Sequence, residues 1–123
     1  MRKENLFVYG SLKKGGSNHD LIDQQLENRD AEYIQPASVC GFELYDKGTF
    51  PVAVPGNGEL EGEIYRIPHK FLIGKLDHLE GFPHRFNRKQ ILIDDFNCWI
   101  YYQESAPPES EKLERSSWST RGG

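Results

Sequence analysis

Glu80 is the residue whose surroundings ask for chemistry. Leu72, Ile73, Leu76 and Leu79 recur at spacings of three and four, which predicts an amphipathic helix over residues 68–80. On that helix Glu80 lies beside Ile73 and Leu76, so it projects from the apolar face. A carboxylate there is costly unless it is paired or performs a reaction. It also stands at the helix C-terminus, where the negative dipole end disfavours an anion. Both effects raise its pKa toward that of a general base working near neutral pH. The competing reading is a surface Glu reaching solvent from a fraying helix end.

The second candidate is a loop. Leu6-Phe7-Val8-Tyr9 is a short continuous apolar run, as expected of a strand buried on both faces, and Gly10 breaks it. A glycine after a strand lets the chain turn sharply and can leave successive N–H groups of Tyr9, Gly10, Ser11 and Leu12 pointing outward. Such a concavity binds a carboxylate or an oxyanion. An ordinary strand-to-loop turn is the alternative. A nucleotide-phosphate loop is excluded, because Gly16-Ser17 stands where Lys followed by Ser or Thr is required.

Other chemistries find little support. His78 and His84 are separated by a helix stop, His19 and His69 are distant, and no His-x-x-x-His or Cys-x-x-Cys pair occurs, so no metal site is expected. Cys40 and Cys98 fall in strand-like runs and are expected to be buried, reduced thiols. Ser11 lacks the Gly-x-Ser-x-Gly surroundings of a nucleophile elbow. Asp94-Asp95 reads as a turn.

The elements that must position these groups are short. Ser17 or Asn18 can cap a helix over 19–27. Strands are expected over 31–39 and 41–45, then 50–54, ended by Pro55-Gly56-Asn57-Gly58, then 59–67. Pro68 is expected at the first helical position, and Gly81 followed by Phe82-Pro83 ends the helix. Two further strands, 89–96 and 98–102, flank the Asp turn. About seven strands and two helices without regular alternation predict an α+β fold, a small mixed β-barrel with short flanking helices.

With 123 residues the chain makes one domain, expected over residues 1–104. The polar segment 105–123 is expected to be a mobile or loosely docked tail, in which Trp118 is out of character. A net charge of -4 argues against nucleic acid as a partner, and no apolar run approaches a membrane span. The short apolar run after the charged start is no secretory leader, so a cytoplasmic location is expected.

Two segments taken together resemble a known family. Phe7-Val8-Tyr9-Gly10-Ser11-Leu12-Lys13-Lys14-Gly15, followed by Asn18-His19, resembles the opening signature of the gamma-glutamylcyclotransferase-like family. Leu76-Asp77-His78-Leu79-Glu80-Gly81-Phe82-Pro83, with Phe86 and Arg88, resembles its second signature. Residues 51–56 and 60–65 resemble its middle strands, so the likeness spans about residues 5–104. The resemblance implies a short bacterial-type member with a cavity at the Tyr-Gly-Ser-Leu loop. It implies cyclotransfer without a cofactor: the α-amine of a small gamma-glutamyl amide attacks its own γ-carbonyl, giving 5-oxoproline and a free amine or amino acid. The family's catalytic glutamate falls on Glu80, and its substrate-holding loop on Tyr9, Gly10, Ser11 and Leu12. Phe86 departs from the Tyr often found in the family, and Tyr65, Tyr101 or Tyr102 could supply the missing hydroxyl. A non-catalytic module that holds a small carboxylate on the same barrel is the rival expectation.

Overall fold

The structure, a computed structural model, describes residues 2–10, 19–46 and 51–113. Ser11, Leu12, the capping candidates Ser17 and Asn18, and Trp118 lie outside the described residues. Among the described residues six strands form one mixed sheet: β1 (Lys3–Val8), β2 (Glu32–Asp46), β3 (Pro51–Pro68), β4 (Asn87–Ile93), β5 (Phe96–Tyr102) and β6 (Glu111–Lys112). Their spatial order is β4-β5-β1-β3-β2-β6. All neighbours are antiparallel except β1 and β5, which run parallel with Asn5 opposite Cys98 and Leu6 opposite Trp99. The sheet curls into a half-barrel, with helix α1 (His19–Glu27) and a helical segment over 69–80 packed on it. This is the expected α+β, barrel-like fold.

The apolar run of β1 is buried on both faces, as its composition predicts. Leu6 and Val8 join Ile22, Val54, Ile67, Leu72 and Leu76 in a core beneath the helices. Phe7 and Tyr9 point the other way, among Leu60, Ile64, Cys98 and Ile100 inside the curl. Alternation along one central strand therefore builds both cores.

Two expected strand breaks are absorbed. β2 runs through residue 40 because Gly41, at φ 100, makes a bulge between Cys40 and Phe42. Pro55 then pairs opposite Phe42, and the Pro55–Gly58 stretch continues β3 instead of ending a strand. Proline is tolerated in a sheet at such an irregularity, where a ladder bond is already lost. The expected strands 31–39 with 41–45, and 50–54 with 59–67, thus become two long ones. Their bulged pairing curls the sheet.

Other boundaries also differ. Pro68 ends β3 and caps helix α2 (His69–Phe71) from an extended conformation, φ -62 and ψ 140, instead of being the first helical residue. The helix is not regular. A π-helical segment, Leu72–Leu76, follows α2, and α3 (Asp77–Glu80) completes it. The Asp77 N–H reaches back to the Leu72 carbonyl, five residues earlier. That inserts one residue into the turn and rotates Ile73 off the apolar face, leaving it 50% exposed while Leu72 and Leu76 are fully buried. The Asp94-Asp95 turn forms as expected, both residues left-handed at φ 48 and 70, as a two-residue hairpin requires.

Cys98 is buried, and burial together with the charge of Asp94 pushes its thiol up to about 11. Cys40 is exposed, contrary to expectation, because it flanks the bulge. Part of the polar C-terminal segment is docked: β6 pairs with Tyr45 and Asp46, and the Leu113 N–H donates to the Leu44 carbonyl at 2.8 Å. Among the described residues no helix is long and apolar enough to cross a membrane, and no group of three metal-ligating side chains occurs.

Candidate active site

Glu80 ends a helix that is stopped by backbone chemistry. Gly81 adopts φ 69, its N–H bonds the His78 carbonyl at 3.2 Å, and the Phe82 N–H bonds the Asp77 carbonyl at 2.9 Å. This paired closure is a Schellman motif, which needs a left-handed residue where glycine stands. Arg85 reinforces it, donating to the carbonyls of Leu79 at 2.6 Å and Glu80 at 3.3 Å. The Arg85 guanidinium is therefore committed to main-chain oxygens. Burial pushes the Glu80 carboxyl up to about 7, and the charge of Arg85 pulls it back only in part. The raised carboxyl expected of Glu80 is present, while Ile73, expected on the same apolar face, is half exposed.

Tyr9 faces Glu80 from the end of β1. Its hydroxyl donates to the Tyr101 carbonyl at 2.7 Å and accepts the Ala53 N–H at 3.1 Å, so one side chain ties β1 to β5 and β3. Burial raises its pKa, and the negative charge of Glu80 raises it further. The hydroxyl is occupied by backbone groups and anchors the end of β1. Gly10 follows in a bend. A Cβ there would lie 2.8 Å from Pro51 Cγ and 3.1 Å from Cδ, so glycine is required by close approach, not by a left-handed backbone. Gly10→Ala is expected to cost roughly 1–3 kcal/mol and to displace the loop. Urea denaturation checks the first effect; an unchanged midpoint would remove the steric argument.

A network that the sequence spacing did not single out braces this site. Asp77, three residues before Glu80, accepts a two-pronged grip from Arg88: Nε to Oδ1 at 2.8 Å and Nη2 to Oδ2 at 3.0 Å. The Tyr101 hydroxyl donates to the same Oδ1 at 2.6 Å. Burial alone would raise the Asp77 carboxyl, but these hydrogen bonds outweigh it and hold it below its ordinary value. Arg88 is sandwiched between the rings of Phe82 and Trp99, each 4.4 Å from its guanidinium carbon. An Asp at i and a Glu at i+3 on one helix was the available signal; the partners on β4 and β5 were not deducible from spacing.

Phe86 is buried in the core beneath the helices. None of the three tyrosines considered as replacements offers a free hydroxyl. That of Tyr101 is held by Asp77, that of Tyr102 by Glu104 at 2.9 Å and that of Tyr65 by Glu63 at 3.0 Å. A separate cavity of about 340 Å3 lies beside the π-helical segment, lined by Gln25, Asp30, Phe71 and Lys75 among others. Neither Glu80 nor Tyr9 or Gly10 lines it.

Comparisons with known proteins bear on the family and the fold. Residues 6–120 match the family model for gamma-glutamyl cyclotransferase, AIG2-like. The gamma-glutamylcyclotransferase family protein YtfP of Escherichia coli K12 is 32% identical over 117 residues, covering 94% of this chain and 96% of its own. Gamma-glutamylaminecyclotransferase A of Danio rerio is 36% identical over 118 residues, covering 85% and 72%. Among solved structures, an AIG2-like protein from Mus musculus superimposes with a TM-score of 0.81 at 24% identity, over 99% of this chain and 92% of that one. The solution structure of E. coli YtfP gives a TM-score of 0.70 at 31% identity, over 93% and 95%. With a matching fold, a family model that spans nearly the whole chain and a shielded carboxylate at the end of α3, this chain belongs to the gamma-glutamyl cyclotransferase, AIG2-like family.

Proposed function

We propose that the protein cleaves a gamma-glutamyl amide by intramolecular aminolysis, releasing 5-oxoproline and an amine or amino acid. The observation that carries this reading is the desolvated carboxyl of Glu80, raised to about 7 beside the loop that begins at Tyr9 and Gly10. Glu80 takes a proton from the substrate α-ammonium. The freed amine attacks the γ-carbonyl carbon and closes a five-membered ring. The amide C–N bond then breaks, and Glu80 returns the proton to the leaving nitrogen. The ring nitrogen sheds its second proton as the lactam forms, and the departing amine takes it and leaves as an ammonium, so protons and electrons balance with no co-reactant. The N–H groups of Gly10, Ser11 and Leu12 hold the α-carboxylate or the developing oxyanion. Because nucleophile and electrophile share one molecule, the protein's task is to fold the substrate into reach and keep water out.

A carrier of small carboxylates would gain nothing from a partly buried acidic group that repels its ligand when ionised. The name of the Danio rerio relative makes gamma-glutamyl amines a natural part of a substrate panel. The test is release of 5-oxoproline from gamma-glutamyl amines, gamma-glutamyl amino acids and glutathione. Release from none of them, with ligand binding intact, would overturn the reading.

The pH dependence follows from the state Glu80 must occupy. A base has to be ionised before it accepts a proton, so kcat/KM should rise about tenfold per pH unit below 7 and level off above it. A profile whose acid limb lay near the ordinary glutamate value of 4.5 would remove Glu80 from this role.

A further inference from the structure

The helix that carries Glu80 has only four residues, and a π-helical segment precedes it. Regular α-helical hydrogen bonding therefore does not by itself set the direction in which α3 faces. The Schellman closure fixes where the helix stops, but both its bonds are internal to the segment. Leu79 packs α3 against the core, and the polar tie of the helix to the sheet is Asp77, through Arg88 of β4 and Tyr101 of β5. Residues at i and i+3 lie on one side of a helix, so the grip on Asp77 also sets the direction of Glu80.

We propose that Asp77 is the positioning residue for Glu80, clamped by Arg88 and Tyr101 so that the carboxylate faces the end of β1. The inference rests on the proposed role of Glu80 and deepens it. Its geometry is specific. Both carboxylate oxygens of Asp77 are used by one guanidinium, a fit that lysine cannot reproduce. The pair is withdrawn from water, with side chains 13% and 12% exposed. Such pairs contribute little net stability, because desolvation offsets attraction, so a geometric role accounts for it better. The rings of Phe82 and Trp99 hold the guanidinium plane, leaving Arg88 little freedom to follow a moving helix. Among the described residues, the charged and titratable groups that face Glu80 are Tyr9 from the end of β1, Tyr101 from β5 and Arg85 from the segment after α3. Tyr9 and Arg85 stand outside the clamp, so loosening the Arg88 grip leaves them in place, whereas Tyr101 belongs to both sets.

Arg88→Lys is the deciding variant, because it keeps the charge and removes the two-pronged grip. Expected is a fall in kcat of at least tenfold with KM nearly constant, since a small misplacement of a reacting group is costly. The titration of the Glu80 carboxyl, followed by carbon-13 NMR without substrate, should move from near 7 to a clearly lower midpoint as the side chain gains water. A folded Arg88→Lys protein with kcat within twofold of wild type and an unmoved Glu80 midpoint would overturn the proposal. A merely structural clamp would lower the melting temperature and leave that midpoint in place, which also counts against it. If Arg88→Lys does not fold, Tyr101→Phe removes one hydroxyl at unchanged charge and should move both readouts in the same direction; no movement overturns the proposal. A wild-type chain that releases no 5-oxoproline would sink the reaction while the NMR titration still decides the clamp.

Discussion

Glu80→Gln is expected to lower 5-oxoproline release by at least ~100-fold, the scale of losing a general base, and to make the folded chain more stable at pH 8. Both effects have one cause. Burial raises the Glu80 carboxyl from an ordinary 4.5 to about 7. Between those two pH values the folded state holds a proton that the unfolded state has released. Stability from this group is therefore complete below about 4.5 and is lost as pH rises through 7. At pH 8 the ionised carboxylate costs the fold roughly 1–3 kcal/mol, the upper figure being the full linkage value and the lower allowing for residual solvent contact. Glutamine keeps the shape and cannot ionise, so it escapes that cost. Thermal melting at pH 8 and at pH 4.5 checks the sign: a gain in Tm of several degrees at pH 8, nearly absent at pH 4.5. Equal melting curves at both values would mean that Glu80 is solvated, and the raised pKa would lose its basis. Retained turnover would remove Glu80 from catalysis outright.

That the raised carboxyl of Glu80 is legible in the sequence, while the Asp77 network is not, has a physical explanation. A charged residue four positions after Leu76 on an amphipathic helix is a local anomaly, visible in a one-dimensional pattern. So are the continuous apolar run of β1, the Asp94-Asp95 turn and the glycine that closes α3. The neighbourhood of Ile73 misled because a π-helical segment adds one residue to a turn without any residue type that demands it. Phe71, Leu72 and Leu76 on either side of that extra residue are all buried in the core against the sheet. Pro55 and Gly58 read as the end of a strand, and residue 40 as a gap between two, yet pairing across the hairpin absorbed both into one bulge at Gly41. Asp77, Arg88 and Tyr101 are separated by up to 24 residues in sequence, and each is an ordinary residue for its element. Their meeting depends on β4 and β5 both lying beneath α3, which is a property of the topology.

The other large effect should come from Gly62. It stands on β3 just past the point where Val8, the last residue of β1, pairs with Glu63. There β1 leaves the ladder and becomes the Tyr9-Gly10 bend. The departing backbone passes so close that a Cβ on residue 62 would sit 2.1 Å from the Val8 carbonyl oxygen and 2.8 Å from the Phe7 ring. No side-chain rotation relieves a clash with main chain. The two central strands must part by about an ångström, or the Val8 carbonyl must turn away from its partner. Gly62→Ala should therefore cost about 3 kcal/mol or more, a large share of the 5–15 kcal/mol that holds a small domain together. The damage should reach the site as well. Tyr9 is anchored by its hydroxyl to Tyr101 and Ala53, so moving the end of β1 strains both bonds and shifts the loop relative to Glu80. Whatever folded protein remains should show reduced kcat. Gly74→Ala is the matched control, because a Cβ there meets nothing within 4 Å. Replacing a helical glycine by alanine in open space should be neutral or stabilise by up to about 1 kcal/mol. Urea denaturation of the two variants side by side separates the causes. Destabilisation at residue 62 alone assigns the effect to the close approach of β1 and β3. A similar loss at both positions would instead indicate a general penalty for replacing glycine in this chain, and the steric account of how the loop leaves β1 would fall.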